Sequence, residues 1–161
     1  MGQKGREMDR EALEQSLISL ESQARKQVKA DRAAVKVPVD KLLGLMRQLC
    51  EDGRFAFDML LDHTIVDYPK EGRFELVYNL YSTSHGHSLM VMSDVSRQEP
   101  VAPTMENIWP AAHWQEREAF DLFGVLYDEH SDLRRLFLED DWNGYPLRKD
   151  YKDEDMLEFG E

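Results

Sequence analysis

The chain is short of cysteine, of positive charge, of long apolar runs and of the short motifs that usually mark ligand chemistry. Cys50 is the one cysteine among 161 residues. It can close no disulfide within the chain and cannot build a metal cluster alone, which fits a reduced, cytosolic protein. No apolar stretch approaches the ~18 residues that a membrane-spanning helix needs; the strongest fragments are the size of Met59-Leu60-Leu61. The opening residues lack the Ser or Thr of a myristoylation signal and the apolar stretch of a signal peptide. Glu7, Asp9, Glu11 and Glu14 argue against a transit peptide, so the expected compartment is the cytosol. Twenty basic residues face 32 acidic ones, a net charge of −12. Phosphate backbones and anionic lipid surfaces are bound by clustered Lys and Arg, so nucleic acid and direct membrane insertion are not expected. There is also no GxGxxG, GxxxxGK[ST], CxxC or GxSxG. The chain offers no evident place to hold a cofactor of its own.

What is present is the composition of a folded domain: 42% apolar and 32% charged, with three Trp, six Tyr and seven Phe. The length suits a single domain. Charge is uneven. Residues 1–36 hold eight basic and six acidic side chains, and the remainder carries −14. A mildly basic arm precedes an acidic body that favours basic partner surfaces.

Residues 7–30 predict a polar helix with a thin stripe of Leu13, Leu17, Leu20 and Ala24, uninterrupted by Pro or Gly. Pro38 and Asp40 open a second helix that Gly53 ends, with Gly44 inside at a cost of about 1 kcal/mol unless it permits close packing. From Arg54 the pattern turns to β. Phe74, Leu76, Tyr78 and Leu80 alternate with other residues, Ser82–Gly86 forms a turn, and His87–Val95 returns with Leu89, Val91 and Ser93 on one side. A short helix capped by Thr104 is expected over 104–108, and another over 111–123, stopped by Gly124. The fold class is therefore α+β: N-terminal helices, a small mostly antiparallel sheet with flanking helices, and an irregular C-terminal segment. The divisions are a helical extension over 1–34, a domain over 35–151 and an acidic tail over 152–161.

His85-Gly86-His87 is the one close histidine pair, and its position in a turn predicts exposure rather than metal binding. On the third helix, Trp114, Arg117 and Asp121 share one face while Glu116, Phe120 and Phe123 share another. Arg117 can reach Asp121 or Trp114. His113, Glu116, Glu118 and Asp121 could also serve a free-standing, metal-dependent hydrolase. No nucleophile or phosphate loop accompanies them, and an ion-pair face is the preferred reading. The Arg134-Arg135 and Arg148-Lys149 pairs stand inside acidic sequence, suited either to fixed protein contacts or to neutralising Asp132, Glu139, Asp140 and Asp141.

Three stretches carry a family resemblance: WPAAHWQEREAFDLFGV at 109–125, HSDLRRL at 130–136 and DDWNGYPLRKDY at 140–151. DHTIVDYP at 62–69 and RFELVYNLY at 73–81 add to it. The sequence resembles the 30 kDa, or C-type, subunit of respiratory complex I over about residues 35–151. The resemblance implies a non-catalytic core subunit of the peripheral arm of a proton-pumping quinone oxidoreductase, on the cytoplasmic side of the energy-converting membrane. It implies partners of the D type, which help form the quinone site, and of the iron-sulfur B type. Iron-sulfur clusters and flavin would sit in those partners and none in this chain. The lack of the long C-terminal extension makes the chain look like short forms from ferredoxin-linked, coenzyme-F420-linked or cyanobacterial-type complexes. An equivalent subunit of a membrane-bound energy-converting hydrogenase is the alternative. Glu116, Arg117, Glu118, Asp121, Arg134, Arg135, Trp142, Pro146, Arg148, Lys149, Asp150 and Tyr151 would hold the fold and dock neighbours. Replacing Arg148 and Lys149 would then weaken assembly while leaving the monomer folded. One departure stands out: the family's usual His-Pro-Asp is His130-Ser131-Asp132, which frees a φ angle and adds a backbone donor.

Overall fold

A computed structural model describes residues 9–27 and 30–153. The expected structure at 1–8 and over most of the acidic tail lies outside the described residues. Helix α1 spans Arg10–Leu20, strand β1 Arg25–Lys26, β2 Ala34–Lys36 and α2 Val39–Glu51. Strand β3 follows over Met59–Tyr68, β4 over Arg73–Tyr81, β5 over Ser88–Ser96 and β6 over Val101–Pro103. Helix α3 covers Ala112–Phe123 and β7 Leu126–Asp128. A five-stranded sheet has the order β1-β2-β5-β4-β3, and β6 with β7 forms a small parallel pair. In the large sheet only β2 with β5 is parallel. The α+β reading with a mostly antiparallel sheet holds, as does the irregular segment after β7.

Period-2 patterning sets the faces of the hairpin. Phe74, Leu76, Tyr78 and Leu80 of β4 and Leu89 and Val91 of β5 are wholly buried in the main core. The opposite face carries a smaller cluster of Ala34, Val77 and Met92. Beside it, Lys36 bridges Glu75 (2.5 Å) and Asp94 (2.8 Å), and Arg73 reaches Asp94 at 2.7 Å.

The N-terminal region departs from the expected long helix. Asp9 caps α1 by accepting from the Ala12 amide, but the helix ends at Leu20 with Glu21 extended. The Glu21 carboxylate accepts from the Gln23 amide, and Ala24 N donates to Glu21 O, so the chain turns back to pair as β1. This turn uses neither Pro nor Gly, which is why composition did not reveal it. The thin apolar stripe is nonetheless buried. Leu13, Leu17 and Ala24 are at most 1% exposed and belong to the same core as α2 and the hairpin. Glu14, also 1% exposed, joins Arg10 (3.0 Å), Lys26 (2.7 Å) and the Ala34 amide (3.2 Å), tying α1 to both β1 and β2.

Other expectations need correction. Residues 104–108 make a single turn, with Ile108 N and Trp109 N both donating to Met105 O. Thr104 does cap this turn, its Oγ1 accepting from the Glu106 amide (3.2 Å), but the turn goes no further than Trp109, before Pro110. Helix α2 stops through Asp52, whose Oδ1 accepts from the Arg54 amide, before Gly53 is reached. Gly44 has open space where a Cβ would stand, so no packing contact requires it. His87 is buried rather than exposed. The loop over 53–57 folds across the hairpin turn, with His87 Nε2 bonded to Phe55 O (3.0 Å) and His85 Nε2 to Gly53 O (2.8 Å).

Candidate docking site around the third helix

Helix α3 buries Ala112, Glu116 and Ala119 against β3 and the core and ends on Gly124 at φ 76°. Its charged residues split by direction. Glu116 is wholly buried; Thr104 Oγ1 donates to Oε2 (2.5 Å) and Met105 N to Oε1 (2.6 Å). Burial pushes its carboxyl up to about 7 despite these donors. Arg117 lies over the Trp114 ring (5.0 Å to the centroid) and donates to the carbonyls of Arg134 and Arg135. Of the two partners open to Arg117, the structure selects Trp114. Asp121 is matched instead by Arg135 at 2.9 Å, while its Oδ2 accepts from the amides of Leu136, Phe137 and Leu138. Burial raises the Asp121 pKa, yet those amides and Arg135 outweigh it and leave the group below its ordinary value. Glu118 points to solvent.

A second polar cluster sits at the start of the helix. Glu106 accepts from His113 Nδ1 (2.9 Å), from the Ser131 amide (2.7 Å) and from Ser131 Oγ (3.1 Å). The donor added by Ser131 in place of proline is therefore used. Glu106, His113 and His130 bring three ligand-capable atoms within 4.8 Å of one another. Hydrogen bonds fix the His130 tautomer against metal binding there. The Asp132 amide donates to Nδ1 (3.1 Å), which leaves the proton on Nε2, and Nε2 donates to His113 O (3.1 Å). A metal would need the lone pair that this nitrogen lacks. The cluster is a hydrogen-bonded strut.

The hydrolase grouping does not converge. His113 and Asp121 stand eight residues apart on the helix, about 12 Å along its axis. His113 is held by Glu106, Glu116 is enclosed with Thr104, and Asp121 is occupied by backbone donors.

The C-terminal segment is clamped onto this helix. Arg148 Nε donates to Phe123 O (2.7 Å), and its guanidinium lies 4.6 Å from the Tyr145 ring centroid and 5.1 Å from that of Phe74. A Cβ on Gly124 would come within 2.6 Å of Tyr145 and 2.8 Å of Arg148, so glycine is needed for both backbone conformation and space. Buried Asp67 accepts from Arg97 (2.9 Å) and from the Lys149 amide (2.8 Å), and Arg97 also pairs with Asp150. Tyr151 packs on Gly144, Pro146 is partly buried, and Trp142 is 39% exposed while its carbonyl accepts from Arg135. Arg134 pairs with Asp132 at the surface, and the Lys149 side chain is exposed. Arg148 is thus an internal clamp, so its replacement would remove contacts within the chain as well as any made with a neighbour. Sequence reasoning assigned no role to Asp67, Arg97, Glu106 or Tyr145, and gave Thr104 only that of a helix cap. Asp67 lies inside the DHTIVDYP motif and Tyr145 inside DDWNGYPLRKDY, and these were the legible hints.

Comparison with known proteins agrees with this architecture. The family described as respiratory-chain NADH dehydrogenase, 30 Kd subunit, matches residues 35–156. The C-type subunit of the NADH-quinone oxidoreductase of Moorella thermoacetica is 46% identical over 122 residues, covering 76% of this chain and 81% of that protein. A chain from an archaeal respiratory membrane complex, the membrane-bound sulfane sulfur reductase, superposes with a TM-score of 0.76 at 31% identity, covering 88% of this chain and 85% of that one. The trypsin-resistant fragment of Nqo5 gives a TM-score of 0.62 at 25% identity, covering 75% and 98%. With its three signature stretches folded into one helix and the segment clamped upon it, the chain belongs to the 30 kDa subunit family of the respiratory-chain NADH dehydrogenase.

Proposed function

We propose that this chain is a non-catalytic subunit of the peripheral arm of an NADH:quinone-type oxidoreductase. In this reading it holds a D-type quinone-site subunit and a B-type iron-sulfur subunit in fixed relation. The observation that carries the reading is the use made of charge around α3. Glu116, Asp121 and Arg135 are spent on fixing loops, and none is left poised beside an open cleft. Such a body suits rigid positioning of redox centres carried by others, with cofactors confined to the partner subunits. No helix among the described residues is long and apolar enough to cross a membrane. Attachment to the membrane would then come through the assembly.

The test is purification of the native assembly through a tag on this chain. Co-purification of the quinone-site and iron-sulfur subunits at equal stoichiometry, with quinone-reductase activity lost on deleting the chain, is the expected result. A chain that migrates alone from native membranes would overturn the proposal. The relative from a sulfane sulfur reductase makes the acceptor worth measuring in the same preparation.

A further inference from the structure

We propose that the outward arc of α3 is the docking surface for a partner polypeptide with an apolar centre and a cationic rim. The proposal rests on the scaffold reading above and locates its contact. Trp114, Glu118 and Leu122 recur every fourth residue, so they share one side of the helix, away from buried Ala112, Glu116 and Ala119. Two walls flank that side. On one, Gln115 Nε2 donates to Leu61 O of β3, the edge strand of the sheet (3.4 Å). On the other, Asp121 grips the loop that presents Phe137. Leu147 closes the far end, its amide donating to Leu122 O (3.0 Å).

Trp114 is 57% exposed, Phe137 65%, Leu61 50% and Leu147 52%. Single exposed apolar side chains are ordinary, but four large ones around one helix arc mark an interaction site. The backbone beneath them is preorganised. Three amides converge on Asp121 and the Arg148 clamp holds the segment before and after Leu147, so little ordering entropy remains to be lost on docking.

Charge identifies the occupant. Glu118 lies on the helix arc itself, Asp62 follows Leu61 in the edge strand, and the Phe137 loop continues into Glu139, Asp140 and Asp141; all five are exposed. Among the described residues these carboxylates have no ion-pair partner, in contrast to Asp67, Glu106 and Asp121 nearby. Lys or Arg on the incoming surface would pair with them. A second copy of this chain would set carboxylate against carboxylate across a two-fold contact, and phosphate-bearing surfaces would be repelled.

The test uses the full chain within its assembly. A photo-crosslinking residue at Phe137 is compared with one at Leu126, an exposed residue of β7. Phe137 should crosslink to one defined segment of another subunit with Lys or Arg close by, and Leu126 should not. Trp114→Asp with Phe137→Asp should lower recovery of that subunit about tenfold, while Val101→Asp with Leu126→Asp, of equal charge, should leave it unchanged. Glu118→Gln with Asp62→Asn should flatten the salt dependence of the association. Normal assembly of the Trp114/Phe137 double variant, or crosslinks only to lipid or to a second copy, would overturn the docking surface while co-purification with redox subunits kept the scaffold reading. Crosslinking to a cationic protein outside any redox assembly would uphold the surface and remove the scaffold reading.

Discussion

Asp121 and Arg135 meet at 2.9 Å, with the aspartate wholly buried and three consecutive amides closing on its other oxygen. One side chain on a helix thereby shapes the loop carrying Phe137. Asp121→Asn keeps the size but leaves Arg135 without its counter-charge and turns an amide NH2 toward donors. A loss of about 3–5 kcal/mol in urea unfolding is expected. The native pKa of Asp121 is depressed, so its contribution is present above the unfolded value near ~3.9 and disappears as pH falls through the lower native value. The variant should therefore lose part of the wild-type acid transition.

Ser131 and Glu106 make a second such contact, through both the Ser131 amide and its hydroxyl. Ser131→Pro removes two donors and leaves Glu106 with His113. A net destabilisation of about 1–2 kcal/mol is expected, offset in part by the stiffer unfolded chain. Ser131→Ala, which keeps the amide, should cost less. Differential scanning calorimetry of the two variants separates the contributions.

Two buried groups impose opposite pH dependences. Glu116 rises from 4.5 to about 7 through burial, so the native state keeps a proton that the unfolded chain releases, and stability declines as pH climbs across that window. His63 falls from 6.5 to about 4, also through burial, so the unfolded chain takes a proton that the native state refuses, and stability improves as pH climbs through that range. Each shift is worth ~3 kcal/mol. These two nearly cancel in the wild type over pH ~4.5–6.5. Glu116→Gln should expose a rising curve and His63→Gln a falling one, read as urea midpoints at successive pH values.

Two glycines should respond with opposite signs. Gly44 lies within α2 with open space at its Cβ position, so Gly44→Ala should add about 1 kcal/mol. Gly124 has positive φ and no room beside Tyr145 and Arg148, so Gly124→Ala should cost roughly 2–4 kcal/mol. Its segment over 145–151 should become protease-sensitive. Thermal melts give the first effect, and limited proteolysis with mass spectrometry the second.

Strong periodicity was readable in advance. The alternation of Phe74, Leu76, Tyr78 and Leu80 gave β4 its inward face, and Gly124 marked the end of α3. Structure made by side chains folding onto distant backbone was not. Asp121 reaches amides 15 to 17 positions away, and Asp67 meets Lys149 across 82. Nothing local announces either contact. The same holds for α1. Its sparse stripe resembled that of a surface helix because the test of burial is what lies opposite, and Glu14 hides among other acids although it joins three segments. At the third helix, spacing left Arg117 two partners and the structure uses Trp114, while Asp121 takes Arg135 from 14 positions away, beyond the reach of any helical spacing.

The parallel pairing of β2 with β5, Ala34 beside Met90, carries a consequence for biosynthesis. The ribosome delivers α1, β1 and β2 well before the strand they need, so the leucines of α1 emerge with nowhere to dry. The hairpin of β4 and β5 relies on neighbours in sequence and can close first. Only then does the early portion gain a template. Translation order and assembly order run in opposite directions here, and α1 with β1 and β2 needs shielding until β5 has been made.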